Sequence, residues 1–322
     1  MWNIWNKLFS SVAVALFLVV SLLSAEARAE KKIGVLIWDD DARYTDAYKG
    51  IVEQLKKNGF AEPAVKFTVE NAGGNKAKAA GLSKKIAAAK PDMVIAVGTS
   101  AAVPAANEIK DIPLVFSMVY DPVDSKIAAD WKSSGNNTTG SSSKVPMEQI
   151  FSIMEKLTPV KNLAVLYTPG EKNSEAQLRE VQSVKGNFKI TVMPVPVTGK
   201  NNVATVMSEV VNRVQAIYIT GSNIVGDSLP AIVSAAAKAK VITVTHLSDL
   251  VEKGVLLGVT ANPAALGHLA GTKAAKILKG EKASSIPIET LKQFDTLINM
   301  KTAKASQLEV PASLKKSSRI IE

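Results

Sequence analysis

The sequence predicts an α/β protein of two doubly wound, Rossmann-like lobes joined by a hinge in which the chain crosses more than once. Segments of strand length alternate with segments of helical periodicity, which implies parallel sheets covered on both faces. Strands such as VIAVG and PLVFSMV are apolar almost without a break, the mark of burial on both sides. The alternation runs twice, on either side of a polar stretch rich in Ser, Asn and Gly.

In order, KIGVLIW (32–38) reads as a strand and TDAYKGIVEQLKKNGF (45–60) as a helix stopped at Gly59. VKFTVENA (65–72), DMVIAVG (92–98) and PLVFSMV (113–119) follow as strands, separated by helices over 75–90 and 100–110. SSGNNTTGSSSK (133–144) is the expected crossing between lobes. The pattern then restarts with the helix PMEQIFSIMEKL and the strand NLAVLYT (162–168). KITVMPVPV, AIYIT (216–220) and VITVTH (241–246) are further strands, with helices between them. The expected division is lobe 1 over 30–143 with a return segment at about 262–285. Lobe 2 then takes 144–261 and the C-terminal 286–322.

The first residues predict export. Lys7 precedes the apolar run 8–24, and AEARA (25–29) offers an A-x-A cleavage pattern, so a signal peptide cut after Ala29 and a periplasmic location are expected. There is no cysteine, which excludes a lipidated anchor, thiolate zinc sites and cysteine nucleophiles. The net charge is +10, but arginine stands only at 28, 43, 179, 213 and 319. Dispersed lysines read as solvated helix faces, and no nucleic-acid partner is expected. A monomer is expected.

In open parallel sheets ligands sit at the carboxyl ends of the strands. That rule selects the loops 38–44, 98–102, 119–124, 168–174, 220–226 and 245–249. Trp38, Tyr44, Tyr120 and Tyr167 fall at or beside strand ends, where aromatic rings make cleft walls. GTSAA (98–102) ends a strand and opens a helix, a place suited to a carboxylate or phosphate. TPGEKNSEAQ and TGSNIVGDS repeat that arrangement.

The acids of WDDDARYTD admit two other readings, one of them a response-regulator receiver. Asp39 and Asp41 after a first strand suit a secreted phosphatase-like hydrolase, but such sites need a further acid, a lysine and a magnesium ion. Only Asp121 could supply the acid, and no lysine has the place. His246 and His268 are the only histidines and make neither a metal cluster nor a triad. No metal and no cofactor are expected. His246, at a strand mouth, is a candidate ligand contact.

The runs PDMVIAVGTSAAVPAANEIKDIPLVFSMVYDPVDSKI, NNTTG and NLAVLYTPGEKNSEAQ, with GHLAGTKAAKILKGEKASSIPIE and the final INMKTAKASQLEVPASLKKSSRIIE, resemble one family. It is the ABC-transporter substrate-binding proteins that include tryptophan- and tyrosine-binding members. The resemblance implies a type I periplasmic-binding fold closing on a ligand by a hinge. It implies no chemistry, and delivery of a small molecule to a permease in the inner membrane. A soluble sensor subunit serving a membrane receptor is the alternative among binding proteins.

Carried over by position, Thr99, Ser100 and Ala101 would hold a ligand carboxylate. Tyr120 and Asp121 would line the same lobe's wall. Asn173 and Ser174, with Ser222 and Asn223, would reach in from the other lobe. Family members commonly carry an acid where this chain has Gly221 and Ser222, and D-Y where it has TANP (260–263). The first loop is more acidic instead. The expectation is therefore that one of Asp39, Asp40 and Asp41 takes a cationic group of the ligand, beside Trp38 and Tyr44, while Thr45 and Asp46 cap the following helix.

Overall fold

The structure, a computed structural model, describes residues 30–322. The expected signal peptide lies outside them. No helix among the described residues is long and apolar enough to cross a membrane.

The first lobe is built from β1 (Lys31–Ile37), α1 (Ala42–Lys57), β2 (Val65–Asn71), α2 (Lys76–Ala88), β3 (Met93–Val97), α3 (Thr99–Glu108), β4 (Leu114–Val119) and β5 (Thr138–Ser142). Its five strands run parallel in the order β2-β1-β3-β4-β5. Every residue of β3, β4 and β5 is buried, which is why these segments carry so few charges.

The second lobe contains α4 (Met147–Leu157), β6 (Asn162–Tyr167), α5 (Lys172–Val184), β7 (Thr191–Pro196), α6 (Val203–Val210), β8 (Ala216–Ile219), α7 (Asn223–Asp227), α8 (Leu229–Lys238), β9 (Ile242–Thr245), α9 (Ser248–Glu252) and β10 (Leu257–Thr260). The strand order β7-β6-β8-β9-β10 repeats that of the first sheet. Pro194 and Pro196 are tolerated in β7 because it is an edge strand, where a missing N–H costs no ladder bond.

After β10 the chain returns to the first lobe as α10 (Pro263–Leu278), which packs on α1, β4 and β5. It then comes back to the second sheet. β11 (Asp295–Asn299) pairs antiparallel with β10, and β12 (Arg319–Ile321) lies parallel to β11 beyond α11 (Met300–Ala305) and α12 (Ala312–Lys316). The chain therefore passes between the lobes after β5, between β10 and α10, and again before β11.

Two local expectations need correction. The polar stretch 133–144 is not all connection, because Thr138–Ser142 forms the buried edge strand β5. Its hydroxyls make burial affordable: Thr139 donates to the Ile286 carbonyl (2.8 Å), Ser142 to the Tyr120 carbonyl (2.6 Å), and Ser141 pairs with Ser117 (3.0 Å). Secondly, α1 starts at Ala42, because Tyr44 belongs to the same buried stripe as Ala47, Ile51 and Leu55. Thr45 and Asp46 thus lie inside the helix, bonded to the Ala42 carbonyl and to Lys49, and Asp41 takes the cap position without a side-chain cap bond.

α10 and α1 meet backbone to backbone. A Cβ on Gly267 would sit 2.1 Å from the Ala47 carbonyl oxygen, and one on Gly50 2.3 Å from that of Ala264. Gly267→Ala is expected to lower the unfolding free energy by about 1–3 kcal/mol through overpacking, read from urea denaturation. An unchanged midpoint would show that the helices can part at no cost.

Candidate functional site

A cavity lies between the lobes at the strand carboxyl ends. The first lobe contributes Arg43, Tyr44, Thr99 and Ser100, with Met118, Tyr120 and Ser143. Asn173, Gln177, Gly221, His246 and Leu247 come from the second. Each of the six loops selected by the strand-end rule supplies at least one wall residue. The space open to water centres is about 20 Å³, enough for little more than one water molecule. A neighbouring compartment of about 200 Å³ shares Thr99 and Ser100 and adds Val103, Pro104, Asn107, Lys76 and Glu171.

Local backbone geometry shapes the first-lobe wall. Gly98 has φ 98, and a Cβ there would meet Tyr44 Cε1 at 2.8 Å, so glycine lets α3 start directly under the Tyr44 ring. The first N–H groups of α3 have no partner within the helix and lie at Thr99 and Ser100. Thr99 Oγ1 accepts from the Tyr120 N–H (3.2 Å), which joins two loops of this wall. In β4 the register shifts between Phe116 and Val119, and Met118 at φ 59 turns into the cavity wall.

Arg43 is the charged element of the wall. It is 5 % exposed; Nη1 donates to Asp249 of the second lobe at 2.7 Å and Nη2 to Asp41 at 2.6 Å. Its guanidinium lies 4.8 Å from the Tyr44 ring centroid. Lys253 reaches across from the second lobe to Asp41 at 2.7 Å. Burial opposes the charge on Arg43, but Tyr44, Asp249 and Asp41 outweigh it and raise its pKa. Burial likewise works against ionised Asp41, yet Arg43 and Lys253 hold its carboxyl below the usual range. Arg43 Nε is buried and has no hydrogen-bond partner among the described residues.

The three acids of the first loop do not line this cavity. They face a depression on the far side of Arg43, together with Asn223, Asp227 and Lys253. Asp39 turns its carboxylate onto the Asp41 N–H (2.8 Å), and burial raises its pKa. Asp40 is exposed and accepts from Asn71 (2.7 Å). No group of three or more His, Cys, Asp or Glu residues that could hold a metal occurs among the described residues.

The remaining expected residues divide between wall and support. Tyr44, Thr99, Ser100, Tyr120, Asn173 and His246 line the cavity. Ala101 is buried beneath it in α3. Ser174 supports from below, bonding Thr220 (2.8 Å) and the Thr168 N–H (3.0 Å). Ser222 caps α7 through the Val225 N–H (3.2 Å). Trp38, also fully buried, donates across the lobes to Asn223 Oδ1 (2.9 Å). Asp121 holds the turn at Val123 and Asp124 and accepts from Lys144 (3.1 Å), which also lies 3.3 Å from Glu180. Tyr120 donates to Glu180 across the lobes at 2.7 Å, and Arg179 pairs with Asp124.

Sequence reasoning missed Arg43 and Gln177. Gln177 is one helical turn beyond Asn173, on the same face of α5, and that spacing was the available signal. Its Oε1 accepts from the Gly221 N–H (2.8 Å), which directs Nε2 toward His246 Nε2, 3.5 Å away. His246 is held by Tyr218 at Nδ1 (3.0 Å) and packs edge-on to Tyr120. Burial, with Arg43 adding to it, pushes the His246 pKa down to about 3.

Two outcomes are expected. Asp249→Asn leaves Arg43 with Asp41 alone and should shift the lobes apart, raising the radius of gyration in small-angle scattering; an unchanged radius would deny the pair a closing role. His246 is neutral when folded but titrates near 6.5 when unfolded, so the unfolded chain takes the proton first. Stability should be complete above about pH 6.5 and fall as pH drops toward 3. In His246→Gln that fall should be shallower by up to ~1.4 kcal/mol per pH unit in urea melts, and equal slopes would contradict the buried neutral imidazole.

Known proteins resemble this chain in sequence and in fold. A tyrosine-binding protein of Clostridioides difficile is 25% identical over 288 residues, covering 88% of this chain and 83% of that one. A domain from Streptococcus pneumoniae in complex with L-Trp has a TM-score of 0.85 at 29% identity, covering 91% of this chain and 100% of that one. A ligand-free, open substrate-binding protein with adhesive properties from Clostridium difficile has a TM-score of 0.74 at 28% identity, covering 91% and 99%. The fold is that of the type I periplasmic binding proteins. Residues 32–320 match the family described as ABC transporter substrate binding protein, so this chain belongs to that family of non-enzymatic binding proteins.

Proposed function

We propose that this protein is the periplasmic capture component of an ABC importer, taking a small carboxylate-bearing molecule into the inter-lobe cavity and presenting it to an inner-membrane permease. The observation that carries this reading is the cavity itself. Six strand-end loops from two lobes converge on it, and polar groups of its walls remain without partners among the described residues.

The lobe arrangement supports capture by closure. Trp38–Asn223, Arg43–Asp249, Lys253–Asp41 and Tyr120–Glu180 all bridge the lobes, and the space they enclose is too small to admit a ligand without parting them. At nearly equal identity, the ligand-bound relative superimposes better than the ligand-free, open one, as expected if this chain is closed. The carboxylate would rest on the first N–H groups of α3 and on Ser100. The rest of the ligand would extend over Thr99 into the neighbouring compartment, along Val103 and Pro104.

A thermal-shift panel of carboxylates, amino acids, polyols and nucleosides tests the reading. A carboxylate ligand at a hundred times its Kd should add about 2.7 kcal/mol of stability. Ser100→Val, which blocks the α3 end of the cavity, should weaken that ligand about tenfold or more, since hydrogen bonds to a charged group contribute about 1.5–3 kcal/mol. No shift from any carboxylate, or full binding by Ser100→Val, would remove the carboxylate from the cavity.

A further inference from the structure

The cavity wall is rich in donors, and its acceptors carry no charge. Arg43 Nε is buried and unpartnered, and the guanidinium cannot shed its charge. Gln177, fully buried, has its Oε1 engaged by the Gly221 N–H, so its two Nε2 hydrogens face the cavity side, where His246 offers one acceptor at most. The first N–H groups of α3 add further donors. Against these the acceptors of the wall are all neutral: Asn173 Oδ1, buried and unpartnered, with its amide oriented by Nδ2 donating to the Gly221 carbonyl at 2.6 Å, and the hydroxyls of Tyr44, Ser100 and Ser143, which can also donate. No carboxylate lines the cavity among the described residues. Outside the wall, Asp41 and Asp249 bind Arg43 through Oδ2, with Asp249 Oδ1 buried and unpartnered among the described residues; Glu180 is engaged by Tyr120, and Glu171, accepting from the Asn223 N–H, lines the neighbouring compartment.

An α-amino acid brings an ammonium group that must be desolvated next to its carboxylate. In this cavity it would find a neutral amide oxygen and a fixed guanidinium, and a buried cation without a counter-charge is heavily disfavoured. A hydroxyl or carbonyl oxygen at that carbon fits the same donors, and a hydroxyl can also donate to Asn173 Oδ1. Resting on the carboxylate reading above, we infer that the cavity selects small 2-hydroxy or 2-oxo carboxylates over the amino acids of the same skeleton, with Gln177 and Arg43 as the residues that set this preference.

The test is titration calorimetry of the whole protein with matched sets: lactate, pyruvate and alanine; phenyllactate, phenylpyruvate and phenylalanine; and the set built on the glutamate skeleton. In whichever set binds, the hydroxy or oxo acid should bind at least about tenfold tighter than the amino acid, a factor worth ~1.4 kcal/mol. Gln177→Glu keeps the shape and the Gly221 contact but places a carboxylate in the wall, so the ratio should narrow at least about tenfold toward the amino acid. An amino acid binding as tightly as its oxygen counterparts in the unaltered protein would overturn the inference and leave carboxylate capture standing. Binding of polyols or nucleosides but of no carboxylate would remove both the inference and the carboxylate reading. Absence of binding throughout would also remove the capture function.

Discussion

The buried guanidinium of Arg43 is the constraint from which the rest of the site follows. An arginine remains charged at any pH a protein survives, so burying it requires carboxylates close by. Asp41 meets that need from its own lobe and Asp249 from the other, and Lys253 balances the second carboxylate charge. The pair with Asp249 exists only while the lobes are together. Buried ion pairs return about what their desolvation costs, so such a contact can hold a closed state without locking it. A ligand that adds contacts to both lobes then has an equilibrium it can shift.

The fold supplies this constraint with a rigid setting. Two sheets of the same strand order present their carboxyl ends to one another, and every loop at that edge can contribute to one small volume. Polar groups below the walls are tied down by their neighbours: Thr168 with Ser222, Ser174 with Thr220, Thr99 with the Tyr120 backbone. Side chains held in this way present donors in fixed directions, which makes selection among similar ligands physically feasible.

Much of this was legible in the sequence because it rests on local pattern. Alternating apolar strands and periodic helices gave the two lobes, and the strand-end rule located the six loops. Ser222, expected to reach the ligand, instead accepts from the Val225 N–H as the cap of α7. β5 was not legible, because Thr and Ser look like linker until the carbonyls of Ile286 and Tyr120 are seen to satisfy them. Nor was the role of Arg43, whose decisive partner lies 206 residues further along the chain. Placed at the first strand's carboxyl end in a two-lobed cleft, the acids beside it read as a clamp for a cationic group. In three dimensions Asp41 serves the arginine, Asp39 serves the backbone and Asp40 faces water.

Closure of the two lobes around a small molecule is open to direct measurement in this chain. With no native cysteine, single cysteines placed at the exposed Lys78 and Lys200 can carry a fluorescent pair, one label on each lobe. Single-molecule energy transfer should show a longer and a shorter separation in exchange without ligand, and the shorter one alone at saturating ligand. A distribution that saturating ligand leaves unchanged would contradict the claim that binding and lobe closure are one event.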